Sequence, residues 1–247
     1  MSSFRNALAV YLLWVLATWL LEGLPRTLLR PEAAGLRLGY ALVANLGLGI
    51  FLPLWLIRRH LRAGWGTPAD YGFGGAARRW AGIAAGAAIG YGVFRASHPQ
   101  PLDPIVLLNA YAQVWVVTAA EITVCWALAG ATLRRALPAW SGMLGGAGIA
   151  SLLFGVYHFA HSPPFNEPRM VAFLTLVGLA TSLFWLVSRD LLGTAVFHNF
   201  FGVAGVLAAL EAGGKLPALA EPAAGPIAMA LLVAGALAIA ARPAARS

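Results

Sequence analysis

Apolar stretches of 18 or more residues, with few charges inside them, follow one another along most of this chain. An α-helix rises about 1.5 Å per residue and the hydrocarbon layer of a bilayer is about 30 Å thick, so stretches of this length match the path across a membrane. Composition agrees, with 60% hydrophobic and 11% charged residues against about 45–50% and about 25% in soluble domains. No soluble core could absorb that much apolar surface, so the solvent is lipid. Runs bounded by Arg, Pro or Gly place candidate spans at residues 6–24, 36–57, 80–94, 105–133, 140–161, 170–188, 191–210 and 224–241. The expected fold is all-α: a polytopic membrane helix bundle of about eight transmembrane helices, forming a single integral membrane domain over residues 1–247.

The net charge of +8 would point to nucleic acid or another anionic partner in a soluble protein. Here the basic residues sit in short connections, without the aromatic interleaving that strand binding needs, so a nucleic-acid role is rejected. They report topology instead. With the N-terminus in the cytoplasm, Arg5, Arg58, Arg59, Arg62, Arg78, Arg79, Arg134, Arg135, Arg189, Arg242 and Arg246 fall on that side, and Arg26, Arg30, Arg37, Arg95, Arg169 and Lys215 fall opposite. Both termini are therefore expected in the cytoplasm, and the expected location is a bacterial inner membrane. Residues 65–80, rich in Gly and bearing Asp70, read as an interfacial loop or short surface helix. The first apolar run is too long for a signal peptide and no small-x-small site follows it, so it reads as a retained span. Cys125 is the only cysteine, which rules out an intrachain disulfide.

Three polar residues stand where lipid should not tolerate them. Glu121 lies 13 positions, or roughly 20 Å of helix, before Arg134. An acidic side chain at such depth costs several kcal/mol, cannot reach the headgroups, and is functional by default. His158 follows Phe154 by four residues near the end of the fifth run, and His161 lies one turn further on, next to the helix-breaking Ser162-Pro163-Pro164. His198 sits inside the seventh run beside Asn199; adjacent positions point about 100° apart on a helix, so at least one should face the bundle interior. Glu121, His158 and His198 come from three spans, the arrangement of a site assembled between helices. Glu121 and His158 would hold and deprotonate a water while His198 donates to a developing oxyanion. The same three side chains would also serve as ligands of a catalytic zinc with one open position. There is no HExxH helix, since His158 and His161 are three apart with no Glu between them, and a metal-free glutamate mechanism without a cofactor is favoured.

Over residues 118–205 the chain resembles the CPBP family, the CAAX-type proteases and bacteriocin-processing proteins, whose core helices carry EExxxR, FxxxH and HxxxN. Phe154 and His158 match the second motif and His198 opens the third. The first keeps Glu121 but has Ile122 for its second Glu and Trp126 for its Arg; a register one residue earlier makes Ala120 first and Cys125 the Arg position. Gly202 stands where the third motif has Asn, with Asn199 as a substitute. The resemblance implies a catalytic core at residues 105–210 in an intramembrane endopeptidase. Its catalytic set would be Glu121, His158 and His198, with Asn199, His161 and Trp126 as secondary site residues. Its partners would be the lipid bilayer and membrane-embedded or lipidated proteins cut near their C-terminus, as in protein sorting. The competing expectations are a non-catalytic binding or immunity protein on the same fold and a proton or metal transporter.

Overall fold

The computed structural model describes residues 2–28, 30–97 and 102–241. Eight long helices account for most of the described residues: α1 (Ser3–Gly23), α2 (Ala34–Arg62), α3 (Ala76–Ser97), α4 (Pro104–Ala136), α5 (Trp140–Ala160), α6 (Pro168–Ser188), α7 (Leu191–Ala212) and α8 (Ala224–Ala240). Six of them, all but α3 and α8, are long and apolar enough to cross a membrane. The chain is an α-helical membrane protein. Outward-facing leucines such as Leu13, Leu176, Leu183 and Leu231 are at least half exposed, as a lipid-facing surface requires.

The expected third span, residues 80–94, is too short. Helix α3 begins at Ala76, because Arg79 donates to the Ala241 carbonyl at 2.7 Å and to the Gly74 carbonyl, which anchors a charged first turn against the end of α8. Arg242 and Arg246, which weigh in the topology count, lie outside the described residues.

Helix α4 is the axis of the bundle and is buried along almost its whole length. It opens with Asp103 capping the Ile105 N–H and Pro104 at its first position, where a missing N–H costs nothing. At Ile122–Gly130 its hydrogen bonding loosens to i→i+5, and similar wide turns occur at Trp19–Gly23 of α1 and Tyr40–Phe51 of α2. Such turns are rare and concentrate at functional sites. Helix α3 packs most extensively on α7. Gly86 permits this approach, since any Cβ there would collide with the Gly193 carbonyl.

Contacts between connections sort the two ends of the bundle. At one end the segment between α2 and α3 meets the ends of α4 and α6 and the start of α7. Arg134 and Arg135 both bind Asp70, Arg135 at 2.9 Å, and the Gly72 carbonyl accepts from Leu191 N. The tip is a single 3₁₀ turn, Pro68–Tyr71, closed by a reciprocal Thr67/Asp70 capping box. At the opposite end α1 meets the connection that follows α5, and Asn109 of α4 holds the Leu219 and Glu221 carbonyls at 2.8 Å.

Burial raises the Asp70 carboxyl, but the Thr67 N–H and hydroxyl together with Arg134 and Arg135 outweigh it and hold the group below the usual carboxylate range. A depressed folded-state pKa contributes stability that is fully present above the unfolded value, about 3.9, and is lost as pH falls through the folded value. Thermal melts of Asp70→Asn and wild type in detergent should therefore differ most at neutral pH and converge towards pH 3. A difference that persists undiminished at pH 3 would contradict the ionic origin of this clamp.

Candidate active site

Glu121 ends the regular part of α4, at the point where the wide turn begins. Its side chain is buried and meets two imidazoles. His158 Nε2 lies 3.7 Å from Oε1, and His198 Nε2 lies 3.4 Å from Oε2. The three residues singled out by polarity in a lipid environment thus converge from α4, α5 and α7.

Both histidines are held from behind. His158 opens the short 3₁₀ turn that ends α5, and its Nδ1 lies 2.8 Å from the Phe154 carbonyl. A carbonyl can only accept, so Nδ1 carries the proton and donates. His198 Nδ1 lies 2.6 Å from the Thr181 hydroxyl of α6, which itself donates to the Val177 carbonyl at 2.9 Å. With the single hydroxyl proton given to Val177, His198 Nδ1–H is the donor. Each Nε2 is thereby left facing Glu121. A hydrogen bond on the far ring nitrogen that fixes the reactive one is the usual means of orienting a functional imidazole.

Phe154 forms the wall between them. Its ring meets His158 and His198 edge-on, with centroids 4.7 Å away in both cases. The four-residue spacing of Phe154 and His158 puts them on one helix face, and a buried phenyl there excludes water from the backs of both imidazoles. Trp126 lies within the same wall, 5.7 Å from His198 between ring centroids, and its indole N–H donates to Ser182 at 2.8 Å. Ser182 in turn contacts Ser151 and donates to the Ala147 carbonyl. Ile122 is fully buried in the apolar core.

Asn199 turns away from the carboxylate. Its amide donates to the Tyr111 carbonyl at 3.2 Å, and its Oδ1 is buried without a partner. Gly202 sits against α4, where a Cβ would meet the Val114 side chain 2.6 Å away and the Thr118 hydroxyl at 3.6 Å. That close approach leaves no room for a larger side chain. The Thr118 hydroxyl, one turn before Glu121, is buried and also unpartnered.

His161 does not join the three but adjoins them. Its ring stacks on that of His158 at 5.1 Å and 23°, and its Nδ1 lies 3.3 Å from Glu22 Oε2. Glu22 is a second buried carboxylate, which its position three residues before Pro25 at the end of the first apolar run disguises as a boundary charge. The signal available for it in sequence is that it falls within helical reach of that run.

Chemically, one carboxylate and two nitrogens bearing lone pairs form a set of acceptors that calls for hydrogens between them. Either a proton carried on an imidazole or a donating water supplies these. Among the described residues no group of three His, Cys, Asp or Glu side chains is arranged to hold a metal ion. The side chains of Glu121, His158 and His198 are 7%, 8% and 2% exposed, so all three are buried. Comparison with protein-family models, with curated proteins and with solved structures found no match to this chain.

Proposed function

We propose that the protein is an intramembrane endopeptidase resembling the CPBP type, in which Glu121 and His158 activate a water and His198 stabilises the oxyanion. The observation that carries this reading is the meeting of one buried carboxylate with two oriented Nε2 atoms at 3.4 and 3.7 Å. A water about 2.8 Å from both Glu121 Oε1 and His158 Nε2 caps the triangle they form and can donate to each. As its oxygen adds to the scissile carbonyl carbon, its proton passes to this pair. His198, with Nδ1–H held by Thr181, presents an Nε2–H when it is an imidazolium, whose charge the neighbouring carboxylate offsets. That N–H is the donor for the tetrahedral oxyanion.

The substrates in this reading are membrane-embedded or lipidated proteins cut near the C-terminus, because a site between helices admits a chain that already lies in the bilayer. The arginine-rich end of the bundle faces the cytoplasm of a bacterial cell, and the end bearing His158 and Ser162 faces outwards, which suits exported substrates. A cysteine placed at Ala63 should then react with an impermeant reagent only from the cytoplasmic side and one at Lys215 only from outside. The reverse pattern would overturn this orientation.

A non-catalytic binding protein is the competing reading, favoured by Ile122, Trp126 and Gly202 at positions where the family motifs carry polar side chains. Cleavage separates the two. The reconstituted protein should cut a peptide anchored by a single C-terminal apolar span or by a farnesyl group, and should do so after treatment with a chelator. Glu121→Gln and His158→Ala should each lower kcat by about 10²–10⁴-fold with melting unchanged. Binding of both peptides without cleavage by the wild type, or full activity of Glu121→Gln, would reject the mechanism.

A further inference from the structure

Beside the site, a second acid–imidazole pair is built with equal care. Glu22 lies in the wide turn Trp19–Gly23 of α1, as Glu121 adjoins the wide turn of α4. Both of its oxygens are occupied: Ser162 N donates to Oε2 at 2.9 Å and the Ser162 hydroxyl to Oε1 at 2.5 Å. A carboxylate receiving these donors is ionised, and its Oε2 also faces His161 Nδ1 at 3.3 Å. The backbones are forced together here, since a Cβ on Gly23 would collide with the Ala160 carbonyl. Tyr157 and Tyr40 frame His161 edge-on, and their hydroxyls bind each other at 3.1 Å, with Thr18 completing the brace at 3.2 Å.

With Nδ1 engaged by Glu22, the working nitrogen of His161 is Nε2, which is shielded from solvent and has no hydrogen-bond partner. The large majority of buried side-chain polar atoms have a hydrogen-bond partner. His161 keeps a free Nε2 on a ring stacked against His158, whose own Nε2 faces Glu121. The nitrogen of a tetrahedral intermediate leaves as an amine only after it gains a proton, which either the water-activating pair or a separate group beside it can supply.

We propose that His161 is the general acid of the reaction and Glu22 its positioning residue, an inference that rests on the endopeptidase reading. One proton of the water goes to the Glu121/His158 pair as the new C–O bond forms. The oxyanion then collapses, the carbonyl re-forms and the C–N bond breaks, while the nitrogen takes the proton from His161 Nε2–H. Glu22 balances the imidazolium beforehand and holds Nδ1–H afterwards. The proton on the Glu121/His158 pair returns to His161 through water, so the sum is one amide and one water consumed, one acid and one amine produced.

The test is leaving-group dependence. An anchored peptide that the wild type cleaves is remade with an ester in place of its scissile amide, since an alkoxide departs with far less need of a proton. His161→Gln and Glu22→Gln should slow amide cleavage by about a hundredfold while changing ester cleavage less than about threefold. Glu121→Gln should slow both, because both need the activated water. Equal losses on amide and ester, no loss on either, or a failure of both variants to fold would overturn the proposal and leave the water-activating role of Glu121 standing. Absence of any cleavage by the wild type would reject both readings together.

Discussion

A carboxylate in hydrocarbon has no water to solvate it, and that constraint organises this protein around Glu121. The charge is tolerable only where other polar groups surround it, so α5 and α7 must each turn an imidazole inwards at the same depth. Those imidazoles need partners of their own, which come from the Phe154 carbonyl and from Thr181 of α6. Four helices are thereby tied to one another by the requirements of a single side chain.

Behind the histidines the site is walled by aromatic side chains. Phe154 and Trp126 fill the space behind the histidines, and Trp126 satisfies its indole through Ser182 rather than through the site. Low polarability around the three groups strengthens their mutual interactions and keeps bulk water from competing. The wide turns contribute in a different way. An i→i+5 turn leaves carbonyls less tightly engaged and shifts the register of the residues that follow it; Glu22 lies inside one such turn and Glu121 stands at the start of another.

The spans were legible because lipid imposes a length and a composition on every helix that crosses it. The same logic made Glu121, His158 and His198 visible: each is a polar residue deep in an apolar run. It failed where burial depends on neighbours rather than on position. Glu22, near a helix end, is unremarkable in sequence, and only the return of the chain at Ser162 buries it. Asn199 and His198 look equivalent as adjacent polar residues, yet packing sends the Asn199 amide to the Tyr111 backbone. The early start of α3 was hidden because Arg78 and Arg79 resemble a boundary until the Ala241 carbonyl supplies Arg79 with a partner inside the fold.

The most direct measurement of the central claim is nitrogen NMR of histidine-labelled protein in bilayers, with and without Glu121→Gln. If Glu121 is shared by both imidazoles, the Nε2 resonances of His158 and His198 should both move on substitution, while those of His60, at the far end of α2, stay in place. Movement of neither would show that the carboxylate and the two imidazoles do not meet, and the hydrolytic account would fall with it.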